Sequence, residues 1–373
     1  MKNKRKIIFV VHSAWAFINF RKNLADYLIH CGYQLEIFMP FDEEIFRKYD
    51  KRYSLKKIYI NPKGINPFVD LYSLIQLLFF FTISKPDIVL LFSIKPNIYG
   101  NLAARFLKIP TITNITGLGS AFIKDSLLTK FVTLLYKISI KPSNKIFFQN
   151  KEDMSFFLRK KIIYETSAAI IPGSGVDLSR FFPRSKNNEF FSFIFIGRLI
   201  KDKGINEFIN AVKKFRSDND SKNVNFFILG ELSSQNPTAI TKVQLQKWID
   251  DDIIQYLGFV DNVEDVLQNI DCLVLPSYRE GLPKVVLEAL AMKKLVMVSD
   301  VPGCREIIKH LEDGLIFKPK SSNDIHEKMK YLLSMSDSQR EKLRQNGLKK
   351  VSAFYDERIL FSIYLSNIQT LLK

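Results

Sequence analysis

Residues 271–289 read Asp271-Cys272-Leu273-Val274-Leu275-Pro276-Ser277-Tyr278-Arg279-Glu280-Gly281-Leu282-Pro283-Lys284-Val285-Val286-Leu287-Glu288-Ala289. The apolar run Asp271–Leu275 predicts a buried strand, Gly281 and Pro283 mark a turn, and a helix starts near Pro283. A second apolar run, Lys294–Ser299, follows that helix and closes a βαβ unit. Such units build parallel α/β sheets, whose ligands sit at the carboxyl ends of the strands. The spacing puts Glu280 at the tip of the turn and Glu288 on the second turn of the helix, both toward the same cleft. The helix start offers free N–H groups to a diphosphate, and the two carboxylates can accept hydrogen bonds from sugar and ribose hydroxyls. Taken alone, two glutamates eight residues apart also describe a solvated surface turn; the strands on either side favour the site.

Working outward, strands are predicted at Ile7–Val11, Gln34–Met39, Ile88–Phe92, Thr111–Asn114 and Lys145–Gln149, with helices at Asn23–Cys31 and Ile98–Leu107 between them. A second set comprises Phe191–Ile196, Asn225–Leu229, Ile254–Tyr256, Asp271–Leu275 and Leu295–Ser299. The turn-rich stretch Ile171-Pro172-Gly173-Ser174-Gly175-Val176 reads as the connector between two domains. In the second set, Phe191–Ile196 ends in Gly197-Arg198, and Lys203-Gly204 introduces the next helix. This places a guanidinium, which can clamp a diphosphate bidentately, and an ammonium at a strand end.

The chain has 373 residues, 47% of them hydrophobic, which suits two folded domains. Cys31, Cys272 and Cys304 are far apart and odd in number, as expected of buried thiols in a reducing compartment. Met1–Lys6 and the short apolar run after it lack a signal-peptide pattern. The apolar stretch Leu74–Ile83 is too short to span a bilayer. A cytoplasmic protein is the expectation.

The net charge of +17 raises affinity for nucleic acid or an anionic membrane. Ser126–Lys151 carries Lys130, Lys137, Lys141, Lys145 and Lys151 with no acid, and Leu127, Leu128, Phe131, Leu134, Leu135 and Ile138 recur at helical spacing. Two readings stand: a core helix with lysines in water, or a basic amphipathic helix on an anionic membrane. No nucleic-acid-binding signature accompanies the charge. The acidic run Asp250-Asp251-Asp252 follows a helical stretch and reads as a solvated loop rather than a metal site.

The segment Glu280-Gly281-Leu282-Pro283 with Glu288, together with Gly197-Arg198-Leu199 followed by Lys203-Gly204, and Pro172-Gly173-Ser174-Gly175-Val176-Asp177 before Phe182-Pro183, resembles the retaining glycosyltransferases of family 4. Asn66-Pro67-Phe68, Thr116-Gly117-Leu118-Gly119-Ser120 and Leu275-Pro276-Ser277-Tyr278 narrow the resemblance to bacterial enzymes that add an N-acetylhexosamine to a polyprenyl-diphosphate-linked sugar.

The resemblance implies the α/β GT-B fold. It comprises an acceptor-binding Rossmann-like domain over residues 1–167, a nucleotide-sugar-binding one over 168–355, and a final helix, 356–373, returning to the first. It implies a UDP-sugar as co-substrate, no cofactor or metal, and action at the inner face of the plasma membrane. Arg198 and Lys203 would contact the donor diphosphate along with the backbone of Gly281, Leu282 and Pro283. Glu288 would hold the ribose and Glu280 the transferred sugar, with Gly197 and Val260 close by.

On the acceptor side, His12, Ser13, Arg21, Lys95, Asn97 and Thr116 are candidates. The chain lacks the Gly-Gly pair many relatives carry after the first strand, and the histidine many carry after the fourth. No base is therefore singled out: His12 could serve, but a lone histidine beside a strand is more often structural. A sugar-nucleotide epimerase of the same fold and a basic nucleic-acid-binding protein stay as alternatives.

Overall fold

The computed structural model describes residues 4–40, 52–61, 66–118, 127–141, 143–185, 190–218, 223–232, 236 and 238–373. The chain divides into two units, one made of Met1–Ser174 with Arg358–Lys373 and the other of Gly175–Glu357.

The first unit is built on a parallel sheet of β1 (Lys6–Val10), β2 (Gln34–Met39), β3 (Ser54–Lys57), β4 (Ile88–Phe92), β5 (Thr111–Ile115), β6 (Lys145–Phe148) and β7 (Ala168–Ile170), in the order β3-β2-β1-β4-β5-β6-β7. The pleat sends alternate residues to opposite faces. Ile7 and Phe9 enter one apolar layer with Leu24, Leu28 and Tyr364, while Ile8 and Val10 enter another with Leu77, Phe81 and Tyr136. Burial on both faces explains why β1 and β4 read as continuous apolar runs.

The second unit repeats the plan with β8 (Phe191–Ile196), β9 (Val224–Leu229), β10 (Gln255–Tyr256), β11 (Cys272–Leu275), β12 (Leu295–Ser299) and β13 (Leu315–Phe317), ordered β10-β9-β8-β11-β12-β13 and parallel throughout. In each sheet the chain winds outward from one central pair, β1 beside β4 and β8 beside β11. At such a switch point the loops leave in opposite directions and open a crevice at the carboxyl ends.

Several expectations need correction. The boundary drawn after residue 167 falls too early, because Ala168–Ile170 pairs with β6 at the edge of the first sheet; the division lies inside the expected connector, at Ser174/Gly175. Ser126–Lys151 is not one helix: a helix covers Leu127–Ile140, Lys145 lies on β6, and Lys151 begins the next helix, Lys151–Arg159. The helix expected from Ile98 starts at Ile94, since Pro96 in a first turn sacrifices no hydrogen bond. Ala14–Phe20 forms a further helix, with Ser13 as its N-cap accepting from the Ala16 N–H at 3.2 Å. Of the three thiols expected to be buried, Cys272 and Cys304 are, whereas Cys31 is exposed. Gly119, Ser120 and Ser126 lie outside the described residues, as do the side chains of Leu127 and Leu128.

Candidate active site

The second unit's switch point collects the residues that sequence singled out. Beyond β8 come Gly197, Arg198 and a short turn, Lys201–Lys203, leading into the helix Ile205–Ser217. Beyond β11 come Pro276 to Pro283 and the helix Lys284–Ala291. Three ties bind these two loops. Lys203 Nζ meets Glu280 Oε1 at 2.5 Å. The Tyr278 N–H donates to the Asp202 carbonyl at 2.9 Å, and its hydroxyl donates to Glu207 Oε1 at 2.6 Å. Gly204, at φ +74°, lies so close to Pro276 that a Cβ would overlap the Pro276 carbonyl.

The same close approach recurs around the site. A Cβ on Gly230, after β9, would collide with the Gly197 carbonyl, and one on Gly303 would collide with the Gly281 carbonyl. Backbone packed against backbone therefore fixes the turn that carries Glu280. Gly281, Leu282 and Pro283 follow, with Pro283 as N-cap and the first N–H groups of the helix unopposed by an acid in its first turn.

Glu288 is buried on the second turn of this helix, with Lys284 Nζ at 3.4 Å from its Oε1. Arg180 acts electrostatically on it from behind while making two bonds of 2.7 Å to Glu264. Burial, the largest influence, raises the Glu264 carboxyl, but the bonds from Arg180, a backbone hydrogen bond and the charges of Arg180 and Arg184 together outweigh it and hold Glu264 below its ordinary range. Arg198 is exposed and, among the described residues, makes no ion pair. Val260 is half-buried against the layer containing Leu275 and Val286. The Cys304 thiol is pushed well up by burial and then by the charge of Glu280, so it stays protonated beneath the turn.

Sequence reasoning missed the roles of Gly230, Gly303, Tyr278 and Lys320, whose ammonium lies 4.9 Å from the Tyr278 ring centroid. A glycine directly after the apolar run Asn225–Leu229 was the available signal for Gly230. Asp251 and Asp252 are exposed after the helix Lys242–Asp250, and among the described residues no three His, Cys, Asp or Glu side chains converge.

In the first unit the candidates scatter. His12 and Thr116 are half-buried just beyond β1 and β5, and Ser13 is occupied as a cap. Lys95 is neutralised by Asp70 at 2.5 Å. Asn97 is fully buried and donates to the Asn114 carbonyl at 2.8 Å. Arg21 is buried with its guanidinium 4.4 Å from the Phe92 ring centroid, and one of its terminal nitrogens has no partner among the described residues.

Two conserved family descriptions match consecutive parts of the chain: "Glycosyl transferase 4-like" over residues 6–150 and "Glycosyl transferases group 1" over residues 179–350. The chain belongs to these glycosyltransferases, with the GT-B fold of two Rossmann-like units. It is similar to the N,N'-diacetylbacillosaminyl-diphospho-undecaprenol alpha-1,3-N-acetylgalactosaminyltransferase of Campylobacter jejuni, 29% identical over 99% of both chains. It is also similar to an Escherichia coli alpha-1,3-galactosyltransferase acting on GlcNAc-diphosphoundecaprenol, 28% identical over 74% of this chain and 73% of the other. A glycosyltransferase from Rickettsia africae shares the fold at TM-score 0.77 and 18% identity, covering 100% of this chain and 99% of its own. Anabaena HepE in complex with UDP does so at 0.76 and 14%, covering 98% and 100%.

Proposed function

We propose that this glycosyltransferase moves an N-acetylhexosamine, such as GalNAc or GlcNAc, from a UDP-sugar to an undecaprenyl-diphosphate-linked saccharide during capsule, O-antigen or other glycan assembly. It retains the anomeric configuration, uses no metal and works at the inner face of the plasma membrane. The observation that carries the reading is the Lys203–Glu280 pair across the second switch point, with Glu288 one helix further on. The end-to-end similarity to a transferase whose acceptor is a diphospho-undecaprenol sugar supports the substrate class.

The chemistry follows from charge. As the bond from the anomeric carbon to the donor phosphate oxygen breaks, negative charge grows on the departing diphosphate. Lys203, held by Glu280, and the N–H groups at the start of Lys284–Ala291 stand where that charge develops, and the exposed Arg198 closes on it, so they stabilise the transition state more than the ground state. Lys203 is held on Glu280 before the donor arrives, and the donor then shares it, leaving Glu280 to accept from a sugar hydroxyl. Glu288 accepts from the ribose. The acceptor hydroxyl forms its bond on the face the diphosphate leaves, and its proton passes to a departing phosphate oxygen.

The test incubates purified protein with UDP- and GDP-sugars and a short-chain polyprenyl-diphosphate saccharide, with and without EDTA, and follows acceptor mass. One added N-acetylhexosamine from a UDP-sugar, unaffected by EDTA, is expected. In an Arg198→Ala, Glu280→Gln variant kcat falls by about 10²–10³-fold, the range for removing fixed charge stabilisers. A variant as active as the parent would remove this site from the chemistry.

A further inference from the structure

The surface of the first unit carries a feature that the transfer reaction leaves unused. The helix Pro67–Ser84 is capped by Asn66, whose side chain accepts from the Phe68 N–H, and buries only Ser73, Leu77, Phe81 and Ser84. Its outward face reads Phe68, Tyr72, Ile75, Phe79 and Ile83, spaced four, three, four and four residues apart, with Phe68 81% and Phe79 60% exposed. A soluble helix puts polar residues at these positions. The helix Ile94–Phe106 packs beside it, and the helix Leu127–Ile140 packs on the other side of that one. Leu127–Ile140 exposes Phe131, Leu134 and Ile138, again one stripe. The middle helix is buried through most of its length and ends in the exposed Phe106.

Charge is distributed with equal bias. Asp70 is the one acid on the three helices, and it is consumed by Lys95. Arg105, Lys130 and Lys137 are exposed among the apolar residues, and Lys85 and Lys108 are exposed just past the carboxyl ends of the first two helices.

Length and composition would allow Pro67–Ser84 to cross a bilayer. Its topology forbids that, because it connects β3 to β4 within one sheet and packs Leu77 and Phe81 on that sheet. It must lie on a surface. A second copy of the chain is a poor occupant, because a twofold interface would set each patch of lysines against its own copy.

We propose that the outer faces of Pro67–Ser84 and Leu127–Ile140 together form a docking surface for an anionic lipid bilayer, the aromatic and aliphatic stripes entering the headgroup boundary and the lysines meeting lipid phosphates. This rests on the reading of a lipid-linked acceptor and names the surface that delivers the first unit to it. The contact extends beyond the basic segment 126–151, and its apolar weight lies on the helix at 67–84.

The experiment sediments the protein with phosphatidylcholine vesicles, with and without phosphatidylglycerol. Wild type is expected to pellet with the anionic vesicles and to be released by salt. Ile75→Glu with Phe79→Glu is expected to lower the partition coefficient about a hundredfold, two exposed apolar side chains losing their burial. Lys130→Glu with Lys137→Glu lowers it about tenfold, and only on anionic vesicles. Both variants keep the parental Tm and parental turnover of a water-soluble short-chain acceptor, while turnover of a long-chain acceptor in vesicles falls. Unchanged pelleting of the Ile75/Phe79 variant overturns the proposal. So does concentration-dependent dimerisation of the wild type that this variant abolishes without any effect of lipid. If no acceptor is turned over by the wild type, the transferase substrate reading fails while the sedimentation result still decides the docking surface.

Discussion

The two sheets share one strand order, but the loops beyond their switch points are built from different materials. In the second unit the crevice is framed by glycines pressed on carbonyls, Gly204 on Pro276, Gly230 on Gly197 and Gly303 on Gly281, with Lys203 and Glu280 paired above them. In the first unit the equivalent space is occupied by buried polar side chains. Asn97 donates to the Asn114 carbonyl, Asn114 donates to the Leu91 carbonyl at 3.0 Å, and Tyr364 reaches Asn114 from a helix 250 residues away. There Ser93, not glycine, takes φ +78°. Backbone-framed crevices tolerate little change in sequence and bind a constant chemical group. Side-chain networks can be rebuilt residue by residue, so the first unit's crevice is the one whose chemistry sequence change can alter.

The sharpest way to break this contrast is to add one methyl group. Gly204→Ala puts a Cβ into the Pro276 carbonyl at a left-handed backbone position, so the two loops must separate. We expect kcat/KM to fall at least about 10²-fold, the cost of displacing reacting groups by roughly an ångström, with the first unit's protection in hydrogen exchange unchanged. Activity within a fewfold of wild type would show that the glycine frame is not what positions Lys203.

An opposite outcome is expected at the first switch point. Burial holds the Arg21 guanidinium below its usual range, and among the described residues the Tyr364 hydroxyl opposes this, no carboxylate pairs with it and one nitrogen is unpartnered. A buried charge without a carboxylate costs more in desolvation than it recovers, so Arg21→Met should stabilise the fold by about 1 kcal/mol, raising Tm by about 2–4 °C. A lower Tm would mean that packing on Phe92 outweighs the desolvation.

The smallest effect concerns the buttress behind Glu288. Because the folded Glu264 titrates below its ordinary value of 4.5, its contribution to stability is present above that pH and is lost as pH falls through the lowered value. Arg180 is 43% exposed, so screening limits the effect to a few tenths of a kcal/mol. Urea midpoints of wild type and Glu264→Gln should differ at neutral pH and converge below pH 4.5; a gap that persists in acid would assign the difference to packing.

These contrasts also explain what was legible beforehand. The central strands β1, β4, β8, β11 and β12 are apolar on both faces and announce themselves, as do glutamates held by a Gly and Pro turn. Three of the four edge strands did not: β3 is Ser-Leu-Lys-Lys, and β7 and β13 span three residues each, because an edge buries too little to impose a pattern; only β10, expected at Ile254–Tyr256 and found at Gln255–Tyr256, was read beforehand. The first unit's polar network was equally closed to sequence, since the partners of Asn114 and Lys95 lie at Tyr364 and Asp70, distances along the chain that no local spacing encodes. The apolar stretch near residue 74 was visible; that its outward face would stay uncovered was not, because composition does not say which side meets the core.

The helix Glu357–Leu371 completes the first unit rather than the second: Leu360, Phe361, Tyr364 and Ile368 close one apolar layer of the first sheet, with Phe361 stacked on Tyr27 at 5.2 Å. During synthesis, the contiguous residues 175–357 leave the ribosome with everything their own core requires, while the half made earlier still waits for its last wall. The part born second is therefore free to mature first, and a nascent chain arrested near residue 357 would hold a finished second unit and a first unit whose apolar layer is open to chaperones.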